Sequence, residues 1–389
     1  MRRFLTGARL FTGEHMLDGE GVLIEAGRIL DLCRAPTGEA EAVQLPEDSL
    51  LVPGFIDAQV NGGGGALFND APTAATIRTI VAAHRRFGTT GLLPTFITDR
   101  AAPMRTALDA AATLAGRRGS GVLGIHLEGP FISVERRGAH SAAFVRPPTP
   151  ADIELLCAWA AAVPDGRLLL TLAPEEVEDS AIRQLADSGI IVSGGHSAAS
   201  FERTQAALRL GMTGFTHLFN AMAPIANRAP GLPLAAMTDP DSWCGLIADG
   251  IHVHPALLRL ALATKPRGKL FLVTDAMTPF GTEAGSFMLY GQEILRRDGR
   301  LTLPDGTLAG ADLDLPQAIR NCVSLLGLEL AEALRMASLY PAQFLGLDHR
   351  YGRIAPGYAA DLTLLDPAPA VLGTWVDGEW QASRQRSVG

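Results

Sequence analysis

Eight short apolar segments recur between residues 51 and 274, and helical periodicity separates most of them. The apolar segments are residues 51–60, 91–95, 121–127, 168–172, 190–193, 214–218, 244–248 and 270–274. The helical segments are residues 74–87, 105–115, 150–162, 175–188, 200–210 and 255–263, followed after the eighth apolar segment by 315–326 and 330–338. Short apolar runs joined by helices are typical of parallel strands buried on both faces. We therefore predict an α/β fold, a (β/α)8 TIM-type barrel.

An open, doubly wound sheet would show the same alternation of strands and helices. Its usual signature is a G-x-G-x-x-G turn after the first strand that leads directly into a helix. Residues 62–65 are a glycine run without that spacing. The closed barrel is therefore the favoured alternative.

Both ends of the chain have the pattern of short strands separated by tight turns. Strands are predicted at residues 4–10, 21–25 and 28–33, and again at 362–365 and 374–376. Asp377-Gly378 is a typical hairpin turn. We predict that residues 1–52 and 355–389 form one small β-sandwich domain, because chain termini often lie close together. The barrel domain is expected to span residues 53–354.

Composition narrows the possible function. The net charge is −8 and no basic tract is present, which argues against a nucleic-acid partner. The four cysteines form no CxxC pair, so neither a disulfide framework nor a thiolate zinc site is indicated. No apolar run of about 18 residues and no signal peptide are evident. We therefore expect a cytoplasmic protein without a membrane partner.

Polar residues follow several of the predicted strands at their carboxyl ends, where barrel enzymes carry their catalytic groups. Glu128 ends the third strand in H-L-E-G-P-F, and His196 and His217 follow the fifth and sixth strands. One carboxylate and two imidazoles leave a fourth position open for water, which is a common catalytic zinc set. We predict that these three residues bind a divalent metal ion.

Asp275 follows the eighth strand in L-F-L-V-T-D. An aspartate at this point can simply cap a helix or a turn. On the same rim as a metal site it is well placed to act as a general base. We predict that it takes a proton from water and later passes it to the leaving amine.

The order of these motifs resembles the N-acetylglucosamine-6-phosphate deacetylases of the amidohydrolase superfamily over nearly the whole chain. The segments that carry the resemblance are P-G-F-I-D (53–57), H-L-E-G-P-F (126–131), R-G-A-H (137–140), G-G-H-S (194–197), H-L-F-N-A-M (217–222), I-A-D-G-I-H (247–252), V-T-D-A-M (273–277) and R-M-A-S-L-Y-P-A (335–342). The resemblance implies a barrel with a small β-sandwich, usually as a homodimer, that hydrolyses the N-acetyl group of a phosphorylated amino sugar.

The resemblance also implies roles for further residues. His140 corresponds to a catalytic histidine that contacts the acetamido carbonyl and stabilises the oxyanion. Asn220 and Ala221 correspond to a segment whose backbone amides bind the phosphate. Arg228 and His252 correspond to a phosphate-binding pair that reaches the site from the neighbouring subunit. His254 has no matching role, and we interpret it as structural.

Many relatives in the superfamily carry H-x-H at the end of the first strand to hold a second metal ion. This chain has Gln59 and Asn61 there, and amides are poor zinc ligands compared with imidazole. Lys265 and Lys269 lie outside the predicted strands, so a bridging carboxylated lysine is not expected. We predict one divalent ion per subunit, zinc first, with iron, cobalt or manganese as alternatives.

Three alternatives to this function stay open from the sequence. The substrate could be the sugar phosphate of another epimer, such as N-acetylgalactosamine-6-phosphate. An N-acyl amino acid amidohydrolase could use the same cationic residues for a carboxylate. A catalytically inactive scaffold is the third alternative, and the intact set of metal ligands and Asp275 argues against it.

Overall fold

A computed structural model describes residues 1–36 and 38–383 of the chain. Its centre is an eight-stranded parallel sheet in which each strand pairs with the next one along the chain. The strands are Phe55–Val60, Thr89–Ile97, Gly124–Glu128, Arg167–Leu172, Ile191–Gly194, Gly214–Phe215, Trp243–Leu246 and Leu270–Leu272. A parallel bridge between Val60 and Ala276 joins the first strand to the segment after the eighth. The structure thus confirms the predicted closed barrel, and the alternative of an open sheet is excluded.

Helices cover the outside of the barrel, and all of them except Gly231–Thr238 and Leu339–Phe344 overlap segments that were predicted to be helical. They span Ala74–Arg85, Ala101–Ala112, Pro150–Ala162, Asp179–Asp187, Phe201–Arg209, Gly231–Thr238, Pro255–Thr264, Leu315–Leu326, Leu330–Ala337 and Leu339–Phe344, with a 3-10 turn at Pro174–Glu176. Local capping interactions define ends of two helices whose predicted bounds match the structure. Thr149 and Asp152 form a capping box at the start of one helix, and Gly327 ends another in the left-handed conformation. None of the described helices is long and apolar enough to cross a membrane.

The two ends of the chain come together in a pair of sheets. A four-stranded sheet contains Arg2–Thr6, Gly21–Glu25, Arg28–Cys33 and Glu41–Gln44. A six-stranded sheet contains Arg9–Phe11, Met16–Leu17, Leu50–Pro53, Leu362–Leu365, Val371–Val376 and Glu379–Ala382. Buried side chains from both ends, including Leu5, Leu51 and Leu362, form the apolar core of this unit. The exact division at residues 52/53 and 354/355 stays a prediction, and residues 384–389 lie outside the described part.

Two predicted strands are each divided in the structure. Residues 51–60 form Leu50–Pro53 in the terminal sheet and Phe55–Val60 in the barrel, with Gly54 between them. A side chain at Gly54 would collide with Thr90 of the neighbouring barrel strand. Residues 4–10 divide at Gly7, which has a φ of +100°. The pattern of apolar residues therefore did not predict that the chain passes from one sheet to another within each segment. Hydrophobicity alone does not show where the backbone bends.

A four-stranded antiparallel sheet after the eighth barrel strand was not predicted. Its strands are Ser286–Leu289, Gln292–Arg297, Arg300–Thr302 and Leu308–Ala311. Phe287, Leu289 and Ile294 pack in one apolar cluster with Ile97 and Met277 from the carboxyl end of the barrel. This sheet, called the roof sheet below, therefore covers the rim on which the predicted catalytic residues lie.

Candidate metal centre and active site

The three predicted metal ligands meet at the carboxyl end of the barrel. Glu128 is the last residue of the third strand, and His196 and His217 each lie two residues beyond the end of their strands. Both histidines adopt positive φ angles, 49° and 32°, and so does Asp275, at 53°. This conformation is costly for residues with a Cβ and persists only where surrounding contacts enforce it. Strained turns thus direct three functional side chains towards one point.

The ligand atoms lie close enough to share one ion. Oε1 of Glu128 is 3.0 Å from Nε2 of His196 and 2.9 Å from Nε2 of His217, and the two Nε2 atoms are 3.1 Å apart. These separations are close to the roughly 3.3 Å edge of a tetrahedron with zinc–nitrogen bonds of about 2.0 Å. Among the described residues, this is the group of histidine and carboxylate side chains that could hold a metal ion.

The tautomer of His196 and the charge of Glu128 also favour the binding of a cation. Nδ1 of His196 lies 3.0 Å from the carbonyl oxygen of Arg136, so it donates its hydrogen there and leaves the Nε2 lone pair facing the centre. Burial opposes ionisation of Glu128, but its contacts with the two imidazoles hold its pKa well below the usual range. The residues present therefore provide an anionic oxygen and two ring nitrogens, a donor set that suits a divalent transition metal.

Asp275 lies beside this centre and is buried with it. Its Oδ1 accepts hydrogen bonds from Nδ2 of Asn61 at 2.6 Å and from Nε2 of Gln59 at 3.1 Å. Burial, and then the negative charge of Glu128, raise the pKa of Asp275 to about 6. A carboxylate with a pKa near neutrality can both accept and return a proton, which is the property of a general acid–base residue.

Gln59 and Asn61, the residues at the usual H-x-H positions, contact carboxylates. Besides its bond to Asp275, Nε2 of Gln59 lies 3.2 and 3.3 Å from the two oxygens of Glu128. Both amides thus act as hydrogen-bond donors to anions. This arrangement agrees with the prediction that neither residue is a metal ligand.

A cavity of about 270 Å³ opens above the centre. The predicted site residues that line it are Glu128, His140, His196, His217, Asn220, Ala221, His252 and Asp275, and the roof sheet contributes Leu289 and residues 308–310. The cavity therefore brings together eight of the nine predicted site residues. Arg228 is the exception, since it is exposed on the loop that follows the sixth strand and does not line the cavity.

His140 lies against the predicted metal ligands. Its Nδ1 is 2.8 Å from Oγ1 of Thr98, and its ring centre is 4.4 Å from that of His196. Burial, with the nearby His196, lowers the pKa of His140 to about 3, so the imidazole is neutral near pH 7. A neutral imidazole oriented on one nitrogen can offer the other to a substrate oxygen.

His252 is oriented by a neighbouring carboxylate of its own chain. Its Nδ1 lies 2.6 Å from Oδ2 of Asp249, and its ring lines the cavity of its own chain. The prediction that His252 reaches the site of a neighbouring subunit stays a prediction, because these contacts are those of a single chain. The same prediction for Arg228 stays untested by these contacts.

Some residues that support the site had no role predicted from the sequence. Asp249 orients His252 and accepts hydrogen bonds from the backbone of residues 251 and 252. Its position at the end of the seventh strand, three residues before His252, was the available signal. Thr98 follows the second strand and orients His140. The rule that functional residues follow barrel strands could have identified Thr98 as well. Nothing in the pattern marked the roof sheet.

An eight-stranded barrel with a buried Glu–His–His centre and an adjacent aspartate defines a metal-dependent hydrolase. The chain belongs to the amidohydrolase family, whose model matches residues 50–381. It is 42% identical to an N-acetylgalactosamine-6-phosphate deacetylase from Shewanella sp. (strain ANA-3), over 86% of this chain and 84% of the relative. It is 37% identical to the human N-acetylglucosamine-6-phosphate deacetylase, over 98% and 96%.

Solved structures give the same picture. The N-acetylglucosamine-6-phosphate deacetylase of Pasteurella multocida superposes with a TM-score of 0.93 at 34% identity, covering 98% of this chain and 100% of that chain. A mutant of the Mycobacterium smegmatis N-acetyl-D-glucosamine-6-phosphate deacetylase, in complex with N-acetyl-D-glucosamine-6-phosphate, superposes with a TM-score of 0.88 at 34% identity, covering 97% and 99%. The chain is therefore similar to sugar-phosphate deacetylases over almost its full length.

Proposed function

We propose that this chain hydrolyses the N-acetyl group of N-acetylglucosamine-6-phosphate, giving glucosamine-6-phosphate and acetate. The observation that carries the proposal is the convergence of Glu128, His196, His217 and Asp275 at the floor of one cavity. The activities for which its relatives are named support the substrate class. A cytoplasmic location fits this substrate, since a sugar phosphate carries a charge that keeps it from crossing membranes.

Glu128, His196 and His217 would hold one divalent ion, and zinc suits this donor set best. When bound, such an ion activates water and polarises an amide carbonyl. Asp275 takes the proton of the attacking water as the new C–O bond forms. It then gives that proton to the amide nitrogen as the C–N bond breaks. Acetate and a free amine result.

His140 has a separate task in this scheme. The Thr98 hydroxyl also lies 3.3 Å from the carbonyl oxygen of Glu128, and we assign its hydrogen to the shorter contact with Nδ1 of His140. The Nε2–H of the neutral ring then faces the cavity as a donor. It stabilises the oxygen of the scissile carbonyl as negative charge develops there.

A comparison of substrates tests the proposed function. Acetate release is measured with N-acetylglucosamine-6-phosphate, N-acetylgalactosamine-6-phosphate and unphosphorylated N-acetylglucosamine, with the metal content determined on the same samples. We expect the phosphorylated sugars to have kcat/KM at least about 100-fold above the unphosphorylated one, because charge-assisted phosphate contacts are lost without it. An N-acyl amino acid is included as a further substrate. If it is hydrolysed as fast as the phosphorylated sugars, or if no acetate is released from those sugars, the proposal is rejected.

N-acetylgalactosamine-6-phosphate is a specific second candidate. The 42% identical relative from Shewanella is named for this substrate, whereas the human relative, at 37%, is named for the gluco epimer. The two sugars differ in the direction of one hydroxyl group. The ratio of the two kcat/KM values in the comparison above decides between them.

We also propose that the chain forms a homodimer in which Arg228 of one subunit completes the phosphate site of the other. Asn220, Ala221 and His252 line the cavity from within the chain, whereas Arg228 is exposed and outside it. A guanidinium recognises phosphate through two parallel hydrogen bonds, which suits this role.

Replacement of Arg228 tests that arrangement. We expect Arg228→Ala to raise KM for the phosphorylated sugar by about 10-fold or more and to leave kcat within about twofold, since phosphate binding is remote from the reacting bond. Steady-state kinetics and sedimentation equilibrium are the measurements. Arg183→Ala, which removes an exposed arginine from the helix Asp179–Asp187, is the control. An unchanged KM in Arg228→Ala would contradict the assignment.

A further inference from the structure

The contacts of Gln59 link the two carboxylates that the reaction needs. Its amide nitrogen lies 3.1 Å from Oδ1 of Asp275 and 3.2 and 3.3 Å from the oxygens of Glu128. An amide NH2 group has two hydrogens, so one can bond to each carboxylate. Gln59 is buried, at 2% exposure, so water does not compete for these bonds.

The two carboxylates repel each other across this bridge. Both side chains are buried, with Glu128 2% and Asp275 9% exposed, so water screens their like charges poorly. In a low-dielectric site, such neighbours stay together only if donors or cations lie between them. The amide hydrogens of Gln59 occupy that position in this chain.

The donors to Asp275 also distinguish its two oxygens. Both Gln59 and Asn61 donate to Oδ1, and Oδ2 accepts no side-chain hydrogen bond from the described residues. Asp275 also lines the cavity. A carboxylate anchored through one oxygen presents the other in a fixed direction. Oδ2 is therefore the oxygen available for proton transfer.

We propose that Gln59 is a positioning residue for the deacetylation, which holds the metal-binding carboxylate of Glu128 and the proton-transferring carboxylate of Asp275 at a fixed separation, with Asn61 anchoring the same oxygen of Asp275. This inference rests on the proposed function and adds residues to it. The two hydrogens of the Gln59 amide nitrogen provide one donor for each carboxylate.

The experiment compares Gln59→Leu and Gln59→Met. Each substitution removes both amide hydrogens and puts an apolar side chain of similar size in place of the glutamine. We expect kcat to fall by about 10- to 100-fold, the usual effect of losing a group that orients a catalytic residue, with KM within about twofold. Zinc content per chain should equal that of the unsubstituted protein. Crystal structures should show the Asp275 carboxylate rotated.

A double-mutant cycle separates positioning from a general structural defect. If Gln59 acts through Asp275, adding Gln59→Leu to Asp275→Asn should cost no more than about twofold further. Thr95→Val is the matched control, since Thr95 accepts a hydrogen bond from the backbone of Val60, next to Gln59, and contacts neither carboxylate. It should lower the melting temperature and keep kcat within about threefold.

Three results would overturn the inference: kcat of both Gln59 variants within twofold of the unsubstituted chain, a loss of activity proportional to a loss of zinc, or an equal loss in the Asp275→Asn background. The proposed function has its own check. If the unsubstituted, zinc-loaded chain releases no acetate from either sugar phosphate, the function fails, whereas rotation of Asp275 in the crystal structures still tests the bridge.

Discussion

Asp275→Asn is expected to lower kcat for deacetylation by about 10²- to 10⁴-fold, the usual contribution of a positioned acid–base residue. Asparagine keeps the shape of the side chain and cannot take a proton from water at neutral pH. The proposed metal ligands Glu128, His196 and His217 are unchanged, so zinc content should match the unsubstituted chain. Steady-state kinetics with parallel metal analysis provide the measurement.

The pH dependence gives a second test of the same residue. Burial raises the pKa of Asp275 to about 6, and the ionised form is the proposed base. kcat/KM should therefore fall as the pH decreases below about 6, which gives the pH profile an acidic limb. A bound cation should move this limb to lower pH, because positive charge favours the ionised form of Asp275. The limb should be absent in Asp275→Asn. Turnover near that of the unsubstituted chain would refute the role.

Removal of the metal ion is expected to abolish activity. A chelator that strips the Glu128–His196–His217 centre leaves no group to polarise the carbonyl, so acetate release should become undetectable. The folded state should also lose stability, since an ion at 100 times its Kd contributes roughly 2.7 kcal/mol to folding. Thermal melting and acetate assays before and after dialysis against chelator measure both effects.

Restoration with added ions completes this test. Zinc should return full activity to the stripped chain, and the relative activity with cobalt, manganese and iron ranks the alternatives. Glu128→Gln is the matched control, because it keeps the side-chain shape and removes the ligand charge, and no added ion should restore it. Activity that persists in chelator at undetectable metal content would exclude a metal-dependent reaction.

Much of the fold could be predicted because its signals are local. The helices Pro150–Ala162 and Leu315–Leu326 lie where the sequence predicted them, since a capping box begins the first and a left-handed glycine ends the second. The roof sheet gave no comparable signal. Its strands bury one face only and carry charged residues such as Arg296 and Arg297, so no apolar run marks them.

The sequence by itself determined the barrel and placed the proposed metal ligands at its rim. Apolar runs that recur between helices leave few ways to bury them, and a polar residue directly after such a run must lie on the rim where parallel strands end. Glu128, His196 and His217 could therefore be grouped before any distance was known.

Only the tertiary structure decided how distant residues meet on that rim. Gln59 contacts carboxylates 69 and 216 residues away, His252 lies within its own chain's cavity, and the roof sheet covers the centre. Each of these depends on the angle at which a side chain leaves a turn and on the closure of the barrel. Such geometry arises from packing among all eight strands, and no local pattern of residues records it.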